Sequence, residues 1–353
     1  MIRRSKPKPV LGLDISTSSV KLVELRKVGT SYRVTHFAVE PMPAEAVTDK
    51  VITKIEAVGE AVARAWKRSG SRLKNAAVAV GGANVIIKTL TIPAGLSMHE
   101  CEEQVGLAAA QIVPFSMEEV SWDFELIGPA EREDGMQEAL LIATRRENVE
   151  HRQAVLEIAG LKALVVDCES FALENAYSLL SGQGESEAPD ELTAMLDFGA
   201  TTTTLSVFQG DQIAYTRDQA FGGSQLTTAI MHHYELSYAD AGRAKRQGGL
   251  PESYETEVLA PFLDHMAQES ARSLQFFHAA MSDHQTVNRV VICGGCAAIP
   301  GAADAIARQT HLPVEVADPT MGLELTSRAR AQGVERDAPA LMIACGLALR
   351  SFQ

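Results

Sequence analysis

Two stretches, GLDISTSSVKLVEL (12–25) and LDFGATTTTLSV (196–207), decide how this chain is read. Aligning Leu13-Asp14 with Leu196-Asp197 pairs Ile15 with Phe198, Ser16 with Gly199, Ser19 with Thr202 and Leu22 with Leu205, without a gap. Each stretch is an apolar strand ending in aspartate, a turn of small or hydroxyl residues, and a second strand. A duplicated unit of this kind predicts two related domains facing each other across a cleft. Small turn residues let backbone N–H groups approach an anion, and successive N–H groups form an anion-binding nest. Asp14 and Asp197 would hold a hydrated Mg²⁺, an ion that keeps waters and shares phosphate oxygens. Lys21 would add a point positive charge near the phosphates. Two such turns predict a nucleotide bound between the domains.

The chain around them is an ordinary globular α/β sequence. It has 353 residues, 46% hydrophobic and 22% charged, enough for two or three domains. The net charge of −13 argues against a nucleic-acid partner. Residues 1–9 read as a flexible basic tail, not a signal peptide, because Asp14 breaks the apolar run that should follow. No apolar stretch reaches the ~18 residues of a membrane span. These features give a cytoplasmic chain that would touch a membrane only through a partner. Strands are read at VLGLD, VKLVELRK, YRVTHFAVE and AAVAV, with a helix over 49–69. A strand–helix–strand–strand pattern with a closing helix occupies 84–158, and the acidic SGQGESEAPDE (181–191) reads as an interdomain connection.

Other chemistry is disfavoured. No G-x-x-x-x-G-K-[ST], dinucleotide fingerprint or G-x-S-x-G is present. The five cysteines are odd in number and lie in apolar contexts, as reduced buried thiols do. Cys293-Gly-Gly-Cys296 lacks the second ligand pair of a zinc site and the setting of a redox pair. It reads as a strand, a double-glycine turn and a helix opened by Cys296, whose thiol would have a lowered pKa.

With these turns in hand, the chain resembles the actin/Hsp70/sugar-kinase ATPase superfamily. GLDISTSSVKLVEL resembles its first phosphate loop, LDFGATTTTLSV its second and VVICGGCAAIPG its adenosine motif. Within that superfamily, EEQVGLAAAQIVPFSMEEVSWDF, YTRDQAFGGSQLT, AKRQGGLPESYE and DAPALMIACGLALRSF resemble the PilM family of type IV pilus assembly proteins, relatives of the division protein FtsA. The resemblance implies an actin-like fold. Subdomain 1A would comprise 10–83 and 159–180, with 338–353 returning to it. An inserted, SHS2-like 1C subdomain would span 84–158, and domain 2 would span 192–337. It also implies an ATP site. Asp14, Ser16, Ser18, Ser19 and Lys21 would line the first loop, and Asp197, Gly199, Thr201 and Thr202 the second. Gly222 and Gly223 would approach the sugar–phosphate, Lys245 the nucleoside, and Gly294 and Gly295 the adenosine. Glu169 would help position water, although it lacks the proline that follows in many superfamily members. Ser16 also departs from the pattern, standing where glycine is frequent.

The function implied is an ATP-binding adaptor with at most slow hydrolysis. It would bind the cytoplasmic N-terminal tail of PilN and link the PilN/PilO/PilP platform to the motor ATPases PilB and PilT. The tail would dock in a groove between 1A and 1C, near Ile86, Thr89, Leu90 and Ile92. Homo-oligomers are compatible with such a fold. The competing readings are an FtsA-like division or filament-forming ATPase and a small-molecule kinase. The kinase reading lacks a base beyond Asp14, Glu169 and Asp197.

Overall fold

The computed structural model describes residues 8–130, 133–181, 191–281 and 286–353. Most of the basic N-terminal tail (1–7) and most of the acidic connection (182–190) lie outside the described residues. The chain opens with an antiparallel meander, β1 (Leu11–Ile15), β2 (Ser19–Val28) and β3 (Ser31–Pro41). All five residues of β1 are buried, as expected of a central strand covered on both faces. A tight hairpin follows, β4 (Val47–Thr48) and β5 (Val51–Ile52), and then α1 (Ile55–Ser69). Helix α1 buries Val58, Ala61, Val62 and Ala65 at helical spacing and ends on Gly70, whose amide donates to Trp66 and Lys67 carbonyls. Strand β6 (Asn75–Val80) runs parallel to β1.

The inserted unit comprises β7 (Val85–Pro93), α2 (Met98–Ile112), β8 (Val120–Pro129) and β9 (Met136–Arg145), in the sheet order β7-β9-β8. Ser97 and Glu100 form a capping box at the start of α2. Helix α3 (Arg146–Ile158) leads to β10 (Lys162–Cys168) and α4 (Glu169–Ser181). The second half repeats the opening with β11 (Leu192–Phe198), β12 (Thr203–Gln209) and β13 (Gln212–Gln219). Helices α5 (Gly223–His233), α6 (Tyr238–Gln247) and α7 (Ala260–Ala280) precede β14 (Val287–Cys293), α8 (Ala302–Thr310) and β15 (Val314–Val316). The chain closes with β16 (Glu324–Leu325), α9 (Ser327–Ala331), α10 (Val334–Asp337) and α11 (Met342–Leu349).

The duplication read from the sequence is carried by the topology. The first sheet runs β10-β6-β1-β2-β3-β16 and the second β15-β14-β11-β12-β13; each is an antiparallel meander with two parallel strands beside its first strand, and β16 adds to the far edge of the first. Helices α4 and α11 lie between the two sheets. Ala172, Ala176, Tyr177, Met342 and Leu347 pack with Ala77 of one sheet and Met195, Phe208 and Val291 of the other. The Tyr177 and Phe208 rings stack at 4.1 Å.

Three boundaries differ from the sequence expectation. Helix α1 starts at Ile55 rather than near 49, because residues 47–52 form the hairpin, with Asp49 and Lys50 both in the left-handed region (φ 49° and 63°). Helix α3 leaves the inserted unit, since Val155 and Leu156 pack on α1 in the core of the first domain. The chain returns to the first sheet at Glu324, where β16 pairs in parallel with β3, instead of at 338. Leu325, Ala329 and Val334 then pack with Val23, Leu25 and Val34.

The return of α11 depends on backbone-to-backbone contact. A Cβ at Gly346 would lie 1.7 Å from the Ala172 carbonyl oxygen, and one at Gly12 would lie 1.9 Å from that of Ala344. Gly346→Ala is therefore expected to lower the unfolding free energy by about 1–3 kcal/mol, the usual cost of overpacking a tight core. Urea denaturation of the two proteins measures this, and an unchanged midpoint would contradict the close α4–α11 approach.

Candidate functional site

The two turns are built alike. In the first, the Ser16 amide donates to the Ser19 carbonyl at 3.1 Å; in the second, the Gly199 amide donates to the Thr202 carbonyl at 3.0 Å. These are the residues that the alignment paired. Ser16 tolerates a side chain where Gly199 has none, and its hydroxyl donates to the same Ser19 carbonyl at 2.9 Å. At Gly199 a Cβ would stand 2.8 Å from the Thr202 oxygen. The tips, Ser18 and Thr201, are exposed. Lys21 lies across the β1–β2 ladder from Asp14, and its Nζ donates to Asp14 Oδ2 at 2.7 Å and Ser16 Oγ at 3.0 Å. Burial opposes the Lys21 charge, but Asp14, with Asp197 and Glu169 farther off, outweighs it and raises the pKa.

The second repeat has no lysine of its own. Thr204 stands across from Asp197, the place that Lys21 holds in the first repeat. A cation reaches it from the other domain: Lys50 Nζ lies 3.5 Å from Thr204 Oγ1 and donates to Glu169 Oε2 at 2.7 Å. Thr204 in turn donates to Asp218 at 2.6 Å. Burial works against the Lys50 charge, yet Glu169, Asp218 and Asp197 together hold its pKa above the usual lysine value. Glu169 opens α4, and its carboxyl fills the space beside Gly81, where a Cβ would come within 2.1 Å.

Asp197 stands where desolvation disfavours its charge. Burial lifts its pKa from the usual 3.8 to about 6, against the opposing pull of Lys50 and Lys21. Its Oδ1 would lie 2.3 Å from a Cβ at Gly294, a position with φ 85° that closes the turn after β14. A Cβ added at Gly295 would meet nothing within 4 Å, so that side of the double glycine is open.

Other expected site residues sit differently. Gly222 and Gly223 let α5 dock against the second loop: Gly223 and Ser224 donate to the Gly199 and Ala200 carbonyls at 3.0 and 2.8 Å. Lys245 Nζ is occupied by the Gly223 carbonyl at 2.8 Å and Thr227 Oγ1 at 2.9 Å, and burial lowers its pKa. It braces the start of α5 beneath the loop. Cys296 lies in a turn, since the next helix begins only at Ala302. Burial pushes its thiol up to about 11, partly opposed by Lys245, so the expected lowering is reversed. All five cysteines are free and buried.

The sequence reading missed Lys50, Asp218 and Arg152. Arg152 is 1% exposed, and burial brings its pKa down to about 10. It donates to the carbonyls of Ala79 at 2.5 Å, Asn148 at 2.9 Å and Lys50 at 3.2 Å, which fixes the β4–β5 turn from behind. The absence of a lysine opposite Asp197 was the available clue to Lys50. Likewise, AVAVGG (77–82) repeats the strand-then-double-glycine form of VVICGG (290–295).

Two domains of one strand order, facing each other through paired aspartate turns, define the actin-like ATPase fold. The chain matches the family described as type IV pilus assembly protein PilM over residues 12–352, and it belongs to that family. It is similar to the solved PilM-PilN type IV pilus biogenesis complex, with 26% identity and a TM-score of 0.80, over 98% of this chain and 99% of that one. The ethanolamine utilization protein EutJ from Carboxydothermus hydrogenoformans shares the fold at 17% identity and a TM-score of 0.57, over 99% of this chain and 92% of that one. Cell division protein FtsA of Bacillus subtilis (strain 168) is 24% identical over 261 residues, covering 68% of this chain and 58% of the relative. The chain thus spans little more than half the length of that curated relative. The kinship with PilM and FtsA read from the sequence holds.

The Asp197 environment has a pH signature. Its carboxyl binds a proton more tightly folded than unfolded, so its penalty is absent below the unfolded value of 3.8. The penalty grows as pH rises to about 6 and stays constant above. Asp197→Asn is expected to remove that loss, on the order of 1–3 kcal/mol at pH 7 and nothing at pH 3.5. Chemical denaturation at both pH values measures the difference, and equal effects at the two would contradict the assignment. Cys296 is expected to resist iodoacetamide in the native protein at pH 7.5; rapid alkylation followed by mass spectrometry would contradict its burial.

Proposed function

We propose that this pilus assembly protein is a nucleotide-dependent adaptor, with Mg-ATP held between its two loops and the PilN tail held by the first domain and its inserted unit. The observation that carries the ATP reading is the convergence of two identically built turns on one cleft, each with an aspartate and a cation. Backbone amides at the exposed tips, around Ser18 and Thr201, would take phosphate oxygens, with Lys21 and Lys50 as counter-charges. The open face of Gly295 would admit the nucleoside.

The side chains suit a magnesium ion bound mostly through water. Among the described residues no three histidine, cysteine, aspartate or glutamate side chains converge as a metal cage. The desolvated Asp197 carboxylate, with no hydrogen-bond donor among the described residues, is the group that a cation would relieve, and Asp14 shares its charge with Lys21. Bound Mg²⁺ would supply charge neutralisation to the phosphates. Glu169, held by Lys50, would help position water, in keeping with at most slow hydrolysis.

For the partner, the support is membership of the family and similarity over 98% of the chain to a structure solved as a PilM-PilN complex. The outer edge of β7 has no strand partner among the described residues, so an extended tail could add to it by backbone pairing. Leu90 and Ile92 are buried in the inserted unit's own core with Cys101 and Val105, and Ile86 packs against that core. Of the four groove neighbours read from the sequence, only Thr89 is exposed. No helix among the described residues is long and apolar enough to cross a membrane, so membrane attachment would come through the partner. Coupling to PilB or PilT belongs to the same proposal.

Titration calorimetry with a synthetic PilN tail peptide, with and without Mg-ATP, tests the adaptor. Binding that changes with nucleotide supports it, and no binding in either condition contradicts it. Asp197→Ala is expected to weaken Mg-ATP binding about 10- to 100-fold, the scale of losing a charge-assisted contact. Unchanged affinity would refute the loop assignment.

A further inference from the structure

The β4–β5 turn is the only element of the first domain that sends a cation to the second repeat's position opposite Asp197, among the described residues. Its backbone is held in a strained form, since Asp49 and Lys50 both have positive φ (49° and 63°) without being glycine. What holds it is a closed ring of hydrogen bonds. Arg152 Nη2 donates to the Lys50 carbonyl at 3.2 Å and Nη1 to the Asn148 carbonyl at 2.9 Å. Asn148 Nδ2 donates to Thr144 Oγ1 at 3.1 Å, and Thr144 Oγ1 donates to the Asn84 carbonyl at 2.6 Å. Asn84 Nδ2 closes the ring on the Asp49 carbonyl at 3.0 Å. Asn84 immediately precedes β7, and Thr144 is the penultimate residue of β9. The ring therefore passes through both roots of the inserted unit.

At the other end of the turn, the Lys50 stem lies along Gly82, where an added Cβ would meet both Lys50 Cδ and Asp218 Oδ2 at 3.1 Å. Its ammonium group has Glu169 as its close partner and Thr204 at the limit of contact. A phosphate at the second loop would compete with Glu169 for that ammonium, and a doubly charged terminal phosphate is the stronger counter-ion.

We propose that Lys50 is a positioning residue that exchanges Glu169 for the terminal phosphate of a bound nucleoside triphosphate, and that the ring passes this exchange to the roots of the inserted unit. This rests on the nucleotide reading above and adds to it a residue that distinguishes triphosphate from diphosphate. Loss of the terminal phosphate returns Lys50 to Glu169. The turn carries the ring at its backbone and the sensor at its side chain, so movement of one loads the other.

The test compares wild type, Lys50→Met and Lys50→Arg. Methionine keeps an unbranched stem against Gly82 and removes the charge. Calorimetric titration with Mg-ATP and Mg-ADP is expected to show ATP affinity reduced about ten-fold in Lys50→Met, with ADP changed less than about two-fold and Lys50→Arg recovering most of the loss. Hydrogen exchange of β7 and β9 is expected to differ between the ATP- and ADP-bound wild type and not between the two states of Lys50→Met. Equal losses for both nucleotides, or no loss for either, overturn the sensor. An exchange difference that survives in Lys50→Met overturns the coupling. A wild-type chain that binds neither nucleotide overturns the nucleotide reading itself, and this inference with it; binding of both without discrimination by Lys50 overturns this inference alone.

Discussion

Four carboxylates, Asp14, Glu169, Asp197 and Asp218, share one cleft with two lysines, Lys21 and Lys50, and this charge imbalance governs the site. The excess is negative, and it is concentrated on Asp197, whose pKa burial raises to about 6. Such a cleft is poor at holding a bare anion and well suited to an anion that brings its own divalent cation. The scaffold maintains the imbalance by close packing. Gly294 leaves room for the Asp197 carboxylate, and Gly81 does the same for Glu169. Helix α5 is pressed on the second loop by its Gly222-Gly223 start.

The two halves solve one problem in different ways. The first repeat pairs its aspartate with a lysine across its own ladder, Asp14 with Lys21. The second has threonine at that position and borrows Lys50 from the facing domain. A duplicated fold thereby gains an asymmetric cleft in which domain position and charge are linked. Helices α4 and α11 pack between both sheets and join the two halves through one apolar cluster.

Much of this was legible in the chain. The gapless match of Leu13–Leu22 with Leu196–Leu205 carried the duplication, and the hydrogen bonds at Ser16 and Gly199 show that the match is geometric. The apolar runs at β1, β6, β11 and β14 were readable because buried strands leave an unbroken hydrophobic record. What escaped was set by tertiary contact. Periodicity ran the helix pattern of α1 back to residue 49, because a two-residue hairpin with non-glycine residues at positive φ leaves no local mark. Lys50 and Asp218 carry no local motif, and only the approach of the two domains brings them together. Gly222, Gly223 and Lys245, expected as ligand contacts, also pack α5 against the second loop, and composition does not separate a glycine that admits a ligand from one that admits a helix. Cys296 was given a helix start that the turn through Gly301 displaces.

On the proposed function, both repeated loops close on one Mg-nucleotide. Hydrogen exchange with and without Mg-ATP tests it most directly. Simultaneous protection of residues 14–21, 197–204 and 294–295 is expected, lost when EDTA removes the metal. Protection confined to one loop, or appearing elsewhere in the chain, would contradict it.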